Sequence, residues 1–419
     1  MRTGPLALAG LAALAWAPVT ASAEWSAPVR VSAADRASYG APAVAVGPGS
    51  RALAAWIRTP AGSQRGAGRA QLAERPAGRG WVRPRWLSGP GASMPRLAIN
   101  GRGDAAAAWL NGRLILAAVR RGPSGAWRAA RVGEAGAPVQ DLLVSLDQRG
   151  RPAAAWVERR GGGFGVRLAT GVPAGAPWAV RPARLTTPGP DAPALALSPG
   201  KGALAAWVDD DRVLAARTVA GAFERPVELS DPDAGPPGIA LGGSGSAIVS
   251  WSVRLPGGTP VLLAAGRPAT APRWGAAEDL GIGRAPVVAV NEVGDAVVAW
   301  GMGEAGGEQA VEASTRRRGG LWRASTIVAP RDCGCLLGAE SAAVDGTGAA
   351  VVSWRREGGE GGAGAAALVP GAEAWEQAPV PSTGVAGAPA VAAAPTEGTA
   401  AVWSTEGSRG GVRAVLHSP

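Results

Sequence analysis

Histidine is almost missing from this 419-residue chain, as are tyrosine and lysine; His417, Tyr39 and Lys201 are the only examples. One imidazole cannot be the base of a His-dependent triad and also fill several positions of a metal site, so both chemistries are nearly excluded. There is no G-x-x-x-x-G-K-[ST], no strand-glycine-helix dinucleotide unit and no H-E-x-x-H, and no cofactor is expected. No segment sustains a 3.6-residue apolar stripe, and 64 glycines and 36 prolines interrupt any helix of useful length. Beyond residue 23 no apolar run approaches the roughly 20 residues of a membrane span.

The chain opens with "MRTGPLALAGLAALAWAPVTASA", which has one basic residue, an apolar stretch and a small-residue end at Ala21-Ser22-Ala23. That layout predicts a signal peptide over 1–23 and a single exported domain over 24–419, secreted, periplasmic or at the cell surface. The net charge of +10 rests almost wholly on arginine, and no basic block is longer than "TRRRGG" at 315–320. Scattered in this way, the arginines read as solvated surface charge, and no nucleic-acid partner is expected.

What the sequence has in abundance is tryptophan, and its spacing is regular. "LAAW", "AAAAW", "AAAW", "LAAW", "IVSW", "VVAW", "VVSW" and "AAVW" end at Trp56, Trp109, Trp156, Trp207, Trp251, Trp300, Trp354 and Trp403. The intervals are 53, 47, 51, 44, 49, 54 and 49 residues, the signature of a repeat architecture. Fourteen residues before the tryptophan stands a proline in six units: Pro42, Pro95, Pro193, Pro237, Pro286 and Pro389. A second aromatic column follows each unit at Trp81, Trp127, Trp178, Phe223, Trp274, Trp322 and Trp375. With Trp25 also in the second column, Trp86 is the only tryptophan after the leader outside these columns and reads as packing on a strand.

Each unit holds four short apolar segments bounded by Gly, Pro, Asn or Asp, which read as strands a, b, c and d. Four strands in about 50 residues is the size of a kelch-like propeller blade. Small alanines suit the crowded inner strands, and the tryptophans fill the space between blades. The segment "EWSAPVRVS" at 24–32 has the pattern of a d strand, and "VRAVLHS" at 412–418 ends the last repeat at a c strand. The expectation is therefore an all-β, eight-bladed propeller closed by the N-terminal strand, with seven blades as the alternative if one unit is irregular. A ring also leaves only short, protected sheet edges.

The a–b turn opens with Asn100, Asp147, Ser198, Asn291 or Asp345, and Gly103, Gly150, Gly245, Gly294 and Gly348 share one column within it. Asx or Ser first and Gly fourth is what a type I turn favours, so "RGD" at 102–104 reads as a turn rather than an adhesion signal. "CGC" places Cys333 and Cys335 where they could form a small-loop disulfide; two thiolates rarely complete a metal site unaided, so no metal is expected. "DDD" at 209–211 reads as a solvated turn, since calcium wants six to eight oxygens. Asp141 and Glu340 flank inner strands, with Glu340 in the proline column. His417 reads as a strand-face residue where the ring closes.

The "GxW" turn before strand d, as in "GPSGAW" and "RRGGLW", resembles the Asp-box turn of sialidase-like (BNR repeat) propellers. In the texture of its repeats the chain is also similar to secreted bacterial repeat proteins with "G-x-A-x-x-A-W" units. The resemblance implies a propeller. The box aspartate is absent here, Tyr39 matches no sialidase motif, and no catalytic residue carries over.

These readings lead to a secreted, monomeric, non-catalytic binding or scaffold module whose ligand is an extracellular carbohydrate or protein. The alternative is a glycoside hydrolase-like enzyme using carboxylates at the central channel. Variable loops lie on the face of the b–c and d–a connections, which also carries Tyr39, the "CGC" segment and the inserts at 58–68 and 355–364. The expected ligand contacts there are Tyr39, Asp141 and Glu340.

Overall fold

The computed structural model describes residues 24–418 except 65, 172–177, 189–190, 199, 220, 304–307, 334–335, 358–361, 381–383, 386–388 and 406–409. Its strands form eight antiparallel sheets, seven of them in chain order. Blade 2 shows the pattern, with strands a to d at Ala92–Ile99, Ala105–Asn111, Leu114–Arg120 and Trp127–Glu134. Blade 1 runs from Ser38–Gly47 to Arg85–Trp86, blade 3 from Val139–Leu146 to Ala179–Pro188, and blade 4 from Ala194–Ser198 to Val227–Glu228. Blade 5 runs from Gly238–Leu241 to Glu278–Ile282, blade 6 from Arg284–Val290 to Thr326–Cys333, and blade 7 from Leu336–Val344 to Glu376–Gln377. The a strands of successive blades adjoin all the way round, and that of blade 8 adjoins that of blade 1. The molecule is an eight-bladed β-propeller; the seven-blade alternative does not apply.

Blade 8 takes strands a to c from Ala390–Ala393, Thr399–Thr405 and Gly411–Ser418, and its outer edge from the far end of the chain. Trp25 pairs with His417, and Val29 with Ala414. The Trp25 indole also donates to the Glu376 carbonyl of blade 7 at 3.1 Å. Val31, just beyond, is buried among Tyr39, Trp56 and Val402.

Each tryptophan of strand b turns toward the preceding blade. Trp156 packs on Ala108 and Val119 of blade 2, Trp251 on Leu204 and Val213 of blade 4, and Trp300 on Leu262 of blade 5. Trp403 packs beside Ala365 of blade 7, and Trp56 beside Val402 of blade 8. The second aromatic lies in the same cleft, as Trp178 does beside Trp156. The core is thus eight inter-blade slabs. Alanine on the facing strands leaves room for the rings, and burial of each contributes roughly 2–3 kcal/mol.

The proline column marks a bulge in strand a. Pairing with strand b slips between Gly40 and Ala43, Ser93 and Arg96, and Arg284 and Val287, around Pro42, Pro95 and Pro286. Proline has no N–H to give the ladder, so it costs least where the ladder is already broken. The residues before these prolines, Ala41, Met94 and Ala285, have φ of 47°, 48° and 51°, a strained setting for side chains.

The a–b turns join the blades. Asn100 Oδ1 accepts the N–H groups of Arg102 and Asp104, while its Nδ2 donates to the Asp147 carbonyl of blade 3 at 2.8 Å. Asn291 repeats this toward Asp345 of blade 7, Ser198 Oγ donates to the Gly242 carbonyl of blade 5, and Asp345 accepts the Gly398 N–H of blade 8. "RGD" is one of these turns. Asp104 is 3% exposed and accepts the Gly122 N–H at 2.7 Å.

Candidate functional site

Because strands alternate in direction, the a–b and c–d turns share one face and the b–c and d–a connections the other. On the a–b face the channel is bridged. Gln148 of blade 3 donates to Glu292 of blade 6 at 2.7 Å, although the two turns stand three blades apart. On the other face the a strands begin with the strained bulges, and charged side chains gather there.

A hollow on that face has a volume of about 720 Å³, within the usual range for small-ligand sites. Asp211, Asp233, Ser252, Arg254, Arg284 and the strained Ala285 line it. Asp210 and Asp211, with φ of 49° and 59°, form a tight two-residue hairpin turn. The Asp211 carbonyl accepts the Ala234 N–H, which fixes the d–a connection of blade 5 against it, and the Asp233 carbonyl accepts the Arg254 N–H. Arg284 Nη2 donates to the Gly303 carbonyl at 2.6 Å. Two carboxylates, two guanidiniums and a hydroxyl thus line this hollow.

The expected contacts do not come together here. Asp141 lies beside the bulge of blade 3 and accepts from Arg96 of blade 2 at 3.1 Å. Glu340 is the bulged residue of blade 7 and is exposed. Blades 3 and 7 are diametrically opposite, so three inner strands separate the two carboxylates on either side. Tyr39, expected in a d–a loop, belongs to strand a because that strand starts ahead of its proline. It is 6% exposed in the cleft between blades 8 and 1, where its hydroxyl donates to Asp35 at 2.6 Å. Burial and this hydrogen bond push the phenol above its ordinary value. Burial alone would raise Asp35, but hydrogen bonds from Tyr39, Arg58 and the Ala37 N–H outweigh it and hold that carboxyl low.

Cys335 and the Cys333 side chain lie outside the described residues. Strand b runs into both inserts, at Arg58–Thr59 and Arg355–Glu357, and the ladder of blade 7 runs on to Glu357 against Leu336. Among the described residues no three His, Cys, Asp or Glu groups cluster as metal ligands.

Two features carry no obvious signal in the sequence. Glu158, 1% exposed, accepts from the Trp156 indole at 2.9 Å and from Arg160 at 2.6 Å; these bonds and the Gly136 N–H outweigh its burial and hold it below the usual carboxylate range. The second is a column at the end of strand c, four ladder steps from the tryptophan, occupied by Arg120, Arg267, Arg316 and His417. Each meets a carboxylate of the preceding blade: Glu74, Glu224, Glu278 and Glu376. His417 is the column's one imidazole, 2% exposed, with its Nε2 3.0 Å from Glu376 and its ring 5.0 Å from that of Trp25.

No protein-family profile matches the sequence, and comparison with curated proteins finds no relative. Solved structures share the fold. An ulvan lyase, a polysaccharide lyase, has a TM-score of 0.50 at 10% identity over 93% of this chain and 96% of its own, including a form bound to -[GlcA(1-4)Rha3S]-. A fucose-specific lectin from Aleuria aurantia has a TM-score of 0.40 at 13% identity over 71% and 96% of the two chains. A microbial sialidase has a TM-score of 0.34 at 11% identity over 93% and 68%. At these identities the likeness is one of fold.

Proposed function

We propose that this protein is an exported, non-catalytic binding propeller that holds an extracellular carbohydrate at the b–c/d–a mouth, in the hollow between Asp211, Asp233, Arg254 and Arg284. The observation that carries this reading is that the only histidine and the only tyrosine are both consumed by the fold. His417 is locked between Glu376 and Trp25, and Tyr39 is bonded to Asp35, so neither reaches a bound ligand. What remains at the mouth are carboxylates and guanidiniums, groups that fix sugar hydroxyls and acidic substituents.

The hydrolase alternative has less support. Paired glycosidase carboxylates stand about 5 to 10 Å apart, a spacing that adjacent strands offer and opposite blades do not. Asp211 and Asp233 are exposed on turns, whereas a general acid at neutral pH is held in a desolvated place. The leader at 1–23 supports export, and the likeness to the ulvan lyase propeller supports the choice of carbohydrate as ligand class.

The test is a panel of neutral and acidic polysaccharides, scored for retention of the protein and for new reducing or unsaturated ends. Retention without chain cleavage, lost in Arg254→Ala and Arg284→Ala, is the expected result. Cleavage of any polymer would overturn the non-catalytic reading, and retention unchanged in both variants would overturn the site.

A further inference from the structure

The one basic block of the sequence, Arg316-Arg317-Arg318, lies on the opposite face, where it borders a second hollow of about 550 Å³ between blades 5 and 6. Arg267, Arg316 and Arg318 line it with Ser244, Ser246 and Thr270. The positive charge there is only partly matched. Arg267 is paired with Glu224, but Arg316 meets Glu278 only at 3.5 Å, and its buried Nε has no hydrogen-bond partner. The Arg318 guanidinium has no ion pair among the described residues; only its backbone N–H is engaged, by Asp295. From blade 4, Arg217 brings another guanidinium to within 3.0 Å of where a Cβ on Gly245 would stand, in the turn that carries both serines. Burial and repulsion from Arg267 lower the Arg217 pKa, against the pull of Glu224.

In the equivalent cleft between blades 1 and 2 the guanidiniums and the carboxylate engage more closely, although Arg120 Nε is likewise without a partner. There Glu74 bridges Arg120 and Arg85 and also accepts from the Trp127 indole at 3.0 Å, with both guanidiniums over the Trp127 ring. In the cleft of blades 5 and 6, Gly294, Gly319 and Gly320 leave the entrance without side chains, and the Ser244 and Ser246 hydroxyls meet at 2.6 Å on its wall. Guanidiniums short of carboxylates, hydroxyls beside them and an open entrance are the parts of an oxyanion site.

We infer that this cleft binds an acidic sugar unit, with Arg316 and Arg318 holding its carboxylate or sulfate and the serine hydroxyls its ring substituents. The choice of a sugar as carrier rests on the extracellular reading above; the site itself is separate from the mouth. A nucleic acid fits less well, because single strands are held on exposed aromatic platforms and the Trp322 ring is covered by Arg316 at 4.6 Å.

The test is titration of the purified protein with polygalacturonate, dextran sulfate, neutral dextran and a single-stranded oligonucleotide at physiological salt. The first two carry carboxylate and sulfate respectively, so they distinguish the two anions. Binding of at least one of them, weakened roughly tenfold in Arg318→Ala and in Arg316→Ala, is expected for the loss of one charge-assisted contact. Arg318 is exposed, so its variant stays folded even where loss of Arg316 from Trp322 disturbs packing. Arg131→Ala, exposed on the outer strand of blade 2 and away from both hollows, should leave this binding unchanged; an equal loss there, or no loss in Arg318→Ala, would refute the cleft. Binding of neutral dextran as tight as that of the acidic polymers, or tighter binding of the oligonucleotide, would also overturn it.

Discussion

On the a–b face the connections are short, and in blades 2, 4, 6 and 7 a buried leading side chain is bonded to the next blade. On the b–c/d–a face the connections vary from a two-residue turn to long loops, and their charged side chains meet solvent. Both faces belong to the same eight sheets, so strand propensity does not distinguish them. The difference lies in where main-chain donors are satisfied. On the first face Asn100, Asp147, Asn291 and Asp345 take up the N–H groups of the turn, and three of them also bond the next blade. On the second face donors are met by local carbonyls and by charged groups that can exchange partners with a ligand. The first face joins the blades, which leaves the second free to vary.

The largest effect should come from breaking the ring on which both faces depend. Deleting residues 24–32 removes the edge pairing of blade 8, buried Val31 and the Trp25 contacts with His417 and Glu376. A loss of at least about 3 kcal/mol is expected, read by urea denaturation. An unchanged midpoint would mean that the ring holds without its closing strand.

Next, Asp345→Ala strands the N–H groups of Thr347, Ala349 and Gly398 at a site with no exposure, and should cost about 3 kcal/mol. Arg284→Ala, exposed on the other face, should stay within about 0.5 kcal/mol. Equal effects of the two would remove the distinction between the faces. The same contrast can be drawn inside one tripeptide. Asp104→Ala should lose about 2 kcal/mol, because the Gly122 N–H and Asn100 Nδ2 lose their acceptor. Arg102→Ala should be nearly silent by thermal melting, and a larger effect of Arg102 would reverse the assignment.

The smallest effect concerns pH. Asp35, Asp147 and Glu158 are all held below their ordinary values despite burial that would raise them, chiefly by hydrogen bonds from Tyr39 and Arg58, from Arg151, and from Trp156 and Arg160 respectively. Their contribution is therefore complete above the unfolded values near 4 and is lost as pH falls through the folded ones. The denaturation midpoint should be flat between about pH 5 and 8 and fall below about pH 4. A midpoint that rises on acidification would contradict this.

The repeat was legible because a tryptophan cannot move by one residue without leaving its cleft, so its spacing records the blades. Closure was legible for a related reason: Trp25 occupies the aromatic column ahead of any blade it could complete locally. The turn asparagines were read as local, and their bond to the next blade was missed because it needs the ring. The mouth was harder still. Asp211, Asp233, Arg254 and Arg284 come from different connections and repeat in no column. Tyr39 falls within strand a because that strand begins ahead of its bulge, which the proline column alone does not signal. The arginine–glutamate pairs escaped notice because the carboxylate comes from varied positions on the preceding blade.

The strand that closes the ring also imposes an order in time. Trp25 and His417 lie at the two ends of the described chain, yet they are ladder partners. Along the chain the segment Glu24–Arg30 precedes every blade, so it stays an unpaired edge while seven blades form behind it. It finds its partner only when Gly411–Ser418 has emerged, and an edge left open that long is the kind that captures other strands. The half-finished ring, more than the finished one, is the state in which this protein is exposed to aggregation.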